Sequence, residues 1–344
     1  MKVCMIAQHS VTMVAGGPRV QALETARHLP EFGVEVDLFD PWREHRRESY
    51  DLAHVFGANM MTYDIALRLR QFGWTFAVSS IFFTMRSPAF MRAARRMERL
   101  ANRIYSGVWT DYGLTARVCG LADAVLPNTS EEGRLIGEGL EIAGKKIHVI
   151  PNGVDERFAE ADPMLFEKTY GLRNFILCVG HIGSKRKNVL ALIRALATID
   201  HPAVIIGQVH HGDYALRCME EAARHRNVTI IEGLPNDSPL LASAYAACDV
   251  FALPSLFETP GIAALEAGLA GARIAITKYG GTREYFLDHA EYVEPTSIAS
   301  IARGIELALN RPQDDALRQR IRREYLWPRV AEKTAAVYRV LAAG

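Results

Sequence analysis

The chain has 344 residues, a formal net charge of +1, and 49% hydrophobic against 23% charged residues. This length fits two globular domains of about 150 to 200 residues better than one core. The near-neutral charge argues against a nucleic-acid-binding domain, and no run of about 18 uncharged apolar residues predicts a membrane span. The cysteines stand singly with no CxxC pair, which favours reduced thiols in a cytoplasmic protein over disulfides or a zinc site.

Short β-branched segments alternate with longer helical patterns in the first half of the chain. The opening MKVCMIA is too short an apolar run for a signal peptide and predicts a first buried strand. The segment GPRVQALETARHLPEF predicts the first helix. The pattern pauses over NGVDERFAEADPMLFEKTYGLRN, where acidic residues, Pro163 and Gly171 predict a linker. The predicted strands are KVCMIA, VEVDLF, DLAHVF, WTFAVSS, ADAVLP and KIHVIP.

The second half repeats this alternation. Helices are expected over about residues 188–199 and 214–223, and roughly the last forty residues are expected to be helical. The predicted strands are FILCVG, PAVIIG, VTIIEG, DVFALP, RIAITK and EYVEP.

This alternation predicts the fold class α/β, with two doubly wound, Rossmann-like parallel-sheet domains facing across a cleft. The expected domains are residues 1–165 and 166–326, with a final helix over 327–344 packing back on the first domain. Ligands of such sheets bind outside the carboxyl ends of the strands. The loops after MIA, CVG, ALP and ITK are therefore the candidate site.

The stretch LPSLFETPGIAALEAG predicts a helix start that can receive an anion. Thr259 is a suitable N-cap, Pro260 suits the first helical position, and Gly261 permits close approach of a ligand. Glu258 precedes this start, and Glu266 lies about 10 Å along the axis. That separation exceeds the roughly 5 Å between the carboxylates of a retaining glycosidase. A long ligand with an anionic middle would span both glutamates, although a helix-dipole partner and a solvated glutamate remain the alternative.

The loop GHIGSKRKN places three cations, Lys185, Arg186 and Lys187, just before a helix. Cations there oppose the positive end of the helix dipole unless an anion offsets them. The loop therefore favours phosphate binding, with a solvated basic loop as the alternative.

Two glycine turns that precede predicted helices are further candidate substrate-binding loops, with a plain turn as the alternative: Gly280 and Gly281 in GGTRE and Gly16 and Gly17 in AGGPR. Neither is a GxGxxG, and no GxxxxGK[ST] occurs, so ordinary dinucleotide and P-loop sites lose support. No D-x-D occurs, and no metal site is predicted.

Residues 86–103 predict a basic amphipathic helix with a single acidic residue. Such a helix can lie on an anionic membrane or hold a phosphorylated acceptor. A solvated helix face is the alternative. Its arginines are Arg86, Arg92, Arg95, Arg96, Arg99 and Arg103.

Taken together, these motifs resemble those of the retaining glycosyltransferases of family four, which have the GT-B fold. The resemblance extends along nearly the whole chain. FETPGIAALEAGLAG is similar to the family's E-x7-E motif, and GGTREYF resembles the glycine turn that follows it. The segments ADAVLPNTSEEGRL, IHVIPNGVD and WPRVAEKTAAVY resemble its other signposts.

The resemblance implies that Glu266 holds the ribose hydroxyls of a nucleotide sugar and that Glu258 lies beside the donor sugar. The backbone from Thr259 through Pro260 and Gly261 to Ile262 would bind the diphosphate. The family's lysine on the diphosphate aligns best with Lys187, with Arg186 as the other candidate. Gly16 and Gly17 would face the phosphates of the donor or acceptor.

Three departures stand out. His181 replaces the family's arginine after VG, so the charge on the diphosphate rests more on Lys185, Arg186 and Lys187. The loop is one residue longer, which leaves the assignment of the lysine open. SSIFF stands where many members have a histidine after the fourth strand.

The resulting hypothesis is a metal-independent retaining glycosyltransferase without a cofactor. It would move sugar from a UDP- or GDP-sugar to a glycan or lipid-linked glycan. The expected location is cytoplasmic, with peripheral contact at the inner face of a membrane through residues 86–103. The alternatives are a sugar-nucleotide epimerase of the same fold and a non-catalytic sugar-nucleotide-binding protein.

Overall fold

The computed structural model describes residues 1–13 and 16–343, which form two compact units. The first unit is Met1–Gly153 together with the segment from Trp327 onward, and the second is Val154–Leu326. Each unit has its own parallel sheet with helices packed on both faces. The predicted α/β class with two doubly wound, Rossmann-like domains is therefore confirmed.

The sheet of the first unit has the strand order β2-β1-β3-β4-β5 among its described residues, and all pairs are parallel. Successive residues of a strand point to opposite faces, so Cys4 enters one apolar cluster and Met5 the other. The strands are β1 (Lys2–Ala7), β2 (Glu35–Leu38), β3 (Leu52–Phe56), β4 (Phe76–Ser79) and β5 (Ala124–Val125).

The helices of the first unit cover both faces of this sheet. The last helix packs on α1 and on β3, where the Tyr338 hydroxyl lies 2.5 Å from Nδ1 of the buried His54. This contact ties the carboxyl-terminal segment to the first unit. The helices are α1 (Gly17–His28), α2 (Met60–Gln71), α3 (Pro88–Ala101), α4 (Asp111–Leu121), α5 (Ser130–Arg134) and, at the end of the chain, α14 (Trp327–Ala343).

The second unit has a parallel sheet in the order β11-β10-β9-β6-β7-β8 within the described part of the chain. Leu177 and Ile176 on neighbouring positions enter the two apolar clusters on opposite faces. The strands are β6 (Ile176–Val179), β7 (Ala203–Gly207), β8 (Val228–Glu232), β9 (Val250–Leu253), β10 (Arg273–Thr277) and β11 (Ala290–Val293).

The helices of the second unit connect these strands. They are α6 (Met164–Tyr170), α7 (Val189–Leu196), α8 (Asp213–Ala222), α9 (Pro239–Ala247), α10 (Ile262–Ala270), α11 (Thr282–Phe286), α12 (Ile298–Asn310) and α13 (Ala316–Glu324).

The structure moves the domain boundary from the expected 165/166 to 153/154. Val154, Phe158 and Phe166 are buried in the apolar cluster of the second unit, which draws the segment between them into that unit. The predicted linker is therefore wrong: it contains a 3-10 helix at Glu156–Glu160 and helix α6.

Two further element predictions fail. KIHVIP forms no strand and contributes a single bridge, Val125 with Ile147. The expected continuous helix near the carboxyl terminus is divided, since residues 311–315 separate α12 from α13 and residues 325–326 separate α13 from α14. Among the described residues, no helix is long and apolar enough to cross a membrane.

Candidate functional site

The candidate site lies in the second unit, at the carboxyl edge of its sheet. The strand order reverses between β6 and β9. In the sheet, β7 and β8 lie on the far side of β6, whereas β10 and β11 lie on the far side of β9. In open parallel sheets, ligands bind at such a switch point. The loops that follow β6, β9 and β10 meet there and carry the predicted residues Lys187, Glu258 and Gly280.

The Glu258 carboxylate is the centre of this loop cluster. Its Oε1 atom accepts a hydrogen bond from Lys187 Nζ at 2.7 Å and another from Ser255 Oγ at 2.7 Å. Arg186 Nη1 lies 3.2 Å from the same oxygen. Glu258 is 5% exposed, so the two cations compensate a buried negative charge. The structure thus brings together the three residues predicted as the catalytic set.

Electrostatics keep this carboxylate ionised. Burial alone would raise the pKa of Glu258, but the charges of Lys187 and Arg186 and the hydrogen bonds from Lys187 and Ser255 lower it to about 2. Lys187 retains N–H donors beyond the one used by Glu258, because an ammonium group has three. A phosphate can therefore bind the same lysine without displacing the carboxylate.

The turn KRK is a 3-10 helix at Lys185–Lys187 that begins before α7. Arg186 Nη1 donates to the Phe257 carbonyl at 3.0 Å, while Lys185 is exposed to solvent. Asn188 ends the turn in the left-handed region with φ 58° and donates to the Pro254 and Pro295 carbonyls at 3.0 and 2.7 Å. Arg186 and Lys187 are thereby fixed against the loop after β9, and Lys185 is not.

Gly280 and Gly281 secure Glu258 from the other side. Glu258 pairs with Gly280 in a parallel bridge, and Gly281 N–H donates to the Glu258 carbonyl at 3.0 Å. A Cβ at Gly280 would lie 1.8 Å from the Glu258 carbonyl oxygen, and its φ is 98°. Only glycine fits here, because both the backbone angle and the contact exclude a side chain.

The predicted start of the following helix is wrong by two residues. α10 begins at Ile262, with Gly261 as its N-cap at φ 75°, so Thr259 is not the N-cap and Pro260 is not its first residue. Glycine adopts the left-handed conformation of this cap without strain, whereas a residue with a Cβ, such as threonine, would be strained in it. Thr259, Pro260, Gly261 and Ile262 still form the approach to a helix amino terminus at the candidate site.

Glu266 lies on the fifth position of α10 and is only 3% exposed. Tyr245 donates its hydroxyl to Oε2 at 2.7 Å, and Asn236 donates Nδ2 to Oε1 at 3.0 Å. Arg157 Nη2 in turn donates to the Asn236 carbonyl at 2.7 Å. Burial raises the pKa of Glu266 above its ordinary value, although the hydrogen bonds from Tyr245 and Asn236 lower it in part. Glu266 is thus not a solvated surface residue.

His181 lies against a second histidine, His210. Its Nδ1 is 3.1 Å from Nε2 of His210, and the two rings pack with centroids 4.7 Å apart. His181 lies two residues after the end of β6, so it is at the carboxyl edge of the sheet. Its role on the diphosphate stays a prediction.

The remaining predicted residues, Gly16 and Gly17, lie in the first unit at the amino end of α1. Gly16 is the N-cap with an extended backbone, and its carbonyl accepts from Val20 N–H at 3.1 Å. Ala15 of the same motif lies outside the described residues. The assignment of these glycines to substrate phosphates stays a prediction.

The loop SSIFF in the first unit is held by a buried carboxylate that the sequence did not single out. Glu132 accepts hydrogen bonds from Ser80 Oγ at 2.5 Å and from Phe82 N–H at 2.7 Å. Burial raises the pKa of Glu132 to about 7, although these hydrogen bonds lower it. Ile81 between the two donors has φ 48°, so the loop has a fixed, strained conformation.

Sequence reasoning missed Ser255, Asn188 and the pair Tyr245 and Asn236. Each is an ordinary polar residue whose role depends on a partner distant in sequence, except Ser255, three residues before Glu258. Among the described residues, no group of three or more His, Cys, Asp or Glu side chains could hold a metal ion.

The chain is similar in sequence to known glycosyltransferases. Residues 166–325, nearly the whole second unit, match the sequence model of the family "Glycosyl transferases group 1". An uncharacterized glycosyltransferase of Methanocaldococcus jannaschii is 30% identical over 218 residues, covering 57% of this chain and 54% of that protein. The chain thus spans about half the length of that relative. The second unit is therefore similar to the glycosyl transferases group 1 family.

Solved structures show the same fold over the whole chain. Sucrose-phosphate synthase from Thermosynechococcus elongatus has a TM-score of 0.78 at 20% identity, over 99% of each chain. HepE from Anabaena, in complex with UDP-glucose, has a TM-score of 0.71 at 16% identity, over 99% of this chain and 100% of that one. These similarities confirm the GT-B class of two Rossmann-like domains.

Proposed function

We propose that this protein is a retaining glycosyltransferase that uses a UDP- or GDP-sugar without a metal ion. The observation that carries the proposal is the buried Glu258 carboxylate shared by Lys187 and Arg186 at the switch point of the second sheet. The match of residues 166–325 to the glycosyl transferases group 1 family supports it, as does the structural similarity to a protein solved in complex with UDP-glucose.

The cations would act on the leaving group. When the bond between the sugar C1 and the diphosphate breaks, negative charge develops on the departing oxygen. Lys187 and Arg186 are already positioned by Glu258, so they would meet this charge without reorganisation. The backbone N–H groups at the start of α10 would add a positive helix end. A divalent metal would then not be needed.

Glu258 would orient the donor sugar and the lysine but would not attack the sugar. Its Oε1 atom accepts hydrogen bonds from Lys187 and Ser255, and its pKa of about 2 makes the carboxylate a weak base. The acceptor hydroxyl would attack C1 on the face that the diphosphate leaves, and its proton would pass to a diphosphate oxygen. The new C1–O bond then has the same configuration as the broken one.

Glu266 would accept from the ribose hydroxyls through lone pairs that Tyr245 and Asn236 leave free. The acceptor in this proposal is a glycan or lipid-linked glycan, and the cytoplasmic location stays a prediction. All described cysteines are free and buried, which accords with a reducing compartment.

The test is incubation with a panel of UDP- and GDP-sugars, with and without EDTA, while free UDP and GDP are measured. Slow nucleotide release that survives EDTA supports the transferase, and loss of release with EDTA contradicts metal independence. Interconversion of nucleotide sugars without release would indicate an epimerase. Binding of a nucleotide sugar without turnover would indicate a binding protein.

A variant pair links this activity to the site. Glu258→Gln removes the charge that orders the cations and is expected to reduce release strongly. Glu221→Gln is the matched control. Glu221 lies on α8, outside the site, and forms an ion pair with Arg194 of α7 at 3.3 Å. Equal activity of the two variants would contradict the role assigned to Glu258.

A further inference from the structure

The surface formed by α3 and the turn after it combines exposed apolar side chains with cations. Met97, Leu100, Ile104 and Tyr105 are 71%, 56%, 75% and 71% exposed. Large apolar residues scattered singly are normal on a surface, but these follow one another along one helix and its turn. This surface, the α3 face, consists of Arg96, Met97, Arg99, Leu100, Arg103, Ile104 and Tyr105.

The cations of this helix divide into two sets. Arg92 and Arg95 donate to the carbonyls of Glu138 and Leu140 at 2.7 and 2.5 Å and hold the helix to its unit. Arg96, Arg99 and Arg103 are exposed, and none of them takes part in an ion pair that the described residues form. The second set is therefore free to meet an external anion.

The only acidic residue between Met85 and Trp109 is Glu98, and it points inward. It accepts from the Thr110 hydroxyl and from Arg117 Nη2, the latter at 3.1 Å. The outer surface of this segment consequently carries positive charge without negative charge.

The turn after α3 presents its apolar residues in an ordered way. Asn102 donates Nδ2 to the Glu98 and Val108 carbonyls at 2.9 and 2.7 Å, and it accepts from Val108 N–H at 3.1 Å. Ile104 and Tyr105 lie inside the loop that these bonds close. The fold therefore holds these two side chains exposed. Binding through them requires little further loss of conformational entropy in the turn.

We propose that the α3 face docks on an anionic lipid bilayer. Apolar side chains on one side and arginines beside them are what an interfacial helix needs to enter the boundary between headgroups and acyl chains. Charge complementarity selects anionic lipid over neutral lipid. This inference does not rest on the proposed activity, since it concerns a surface of the first unit alone.

The test is co-sedimentation of the full chain with vesicles of phosphatidylcholine alone or of equal parts phosphatidylcholine and phosphatidylglycerol. The wild type is expected to bind the anionic vesicles only, and less as salt rises. Each arginine lost is expected to weaken partitioning about fivefold, so R96Q/R99Q/R103Q should lose about a hundredfold. The matched control is R217Q/R224Q/R226Q, three exposed arginines of the second unit that should leave partitioning unchanged.

A second variant tests the apolar half. M97S/L100S/I104S keeps every charge and is expected to lose vesicle binding even at low salt. The proposal is overturned if the wild type stays in the supernatant with anionic vesicles, or if the arginine variant binds as the control does. It is also overturned if the serine variant converts a lipid-free dimer into a monomer, because the face would then join two copies of this chain.

Discussion

Replacement of Gly280 by alanine tests whether the loop after β10 holds Glu258 in place. The added Cβ would lie 1.8 Å from the Glu258 carbonyl oxygen, and a backbone atom cannot rotate away as a side chain could. The φ of 98° adds strain of about 1 kcal/mol for any residue with a Cβ. The loop must therefore shift, and we expect a total loss of about 2 to 4 kcal/mol in the free energy of unfolding.

Gly271→Ala is the matched control for this change. Gly271 has φ 102°, nearly the same as Gly280, but no atom lies within 4 Å of the position that an added methyl group would take. It should lose only the strain, about 1 kcal/mol. The assay is urea unfolding of both variants, followed by titration with UDP and GDP. Equal losses in the two variants, with unchanged nucleotide affinity, would refute the reasoning about Glu258.

Three further predictions concern pH and packing. The pKa of Glu258 lies below its reference value of 4.5, so its stabilisation is complete above pH 4.5 and is lost as the pH falls toward about 2. Urea unfolding should show wild type more stable than Glu258→Gln by about 3 kcal/mol at pH 7, with the gap closing in that window; a constant gap would contradict this. Burial lowers the pKa of His54 from 6.5 to about 3, so the first unit should lose stability as the pH falls between these values, and His54→Gln should lack that slope in the same assay. Gly113→Ala should destabilise the protein, because a Cβ would lie 1.9 Å from Glu98 Oε2. In the control Gly120→Ala, on the same helix, the Cβ meets no atom within 4 Å, so the free energy of unfolding should rise by up to about 1 kcal/mol. Similar thermal midpoints for the two variants would count against the packing of Glu98.

The fold was predictable because the strands are short, apolar and regularly spaced by helices. Buried parallel strands such as β7 and β9 read as continuous apolar runs, which few other structures produce. KIHVIP also contains β-branched residues but forms only a single bridge at Ile147, since strand formation depends on a neighbouring strand and not on the segment alone. The domain boundary failed for a similar reason: Phe158 and Phe166 lie among acidic residues, and only the tertiary structure shows that they are core.

The candidate site was predictable where its residues are close in sequence. Glu258, Gly261 and Glu266 share one motif. The three cations of the turn Lys185–Lys187 repel the positive end of a helix unless an anion binds there. The sequence favoured Lys187 over Arg186 for the family's lysine, and the structure shows that both contact Glu258. Tyr245 and Asn236 could not be found, because their contact with Glu266 depends on how α9 and the loop after β8 pack.

The most direct test of the central claim is calorimetric titration with UDP or GDP, whichever stabilises the wild type, and with the matching nucleoside. The claim is that Lys187 binds the diphosphate. Lys187→Gln should weaken the diphosphate about tenfold or more, as expected for loss of a charged hydrogen bond, and leave the nucleoside unchanged. Lys168→Gln, an exposed lysine of the same unit, supplies the control for net charge. Unchanged diphosphate affinity in Lys187→Gln would contradict the account.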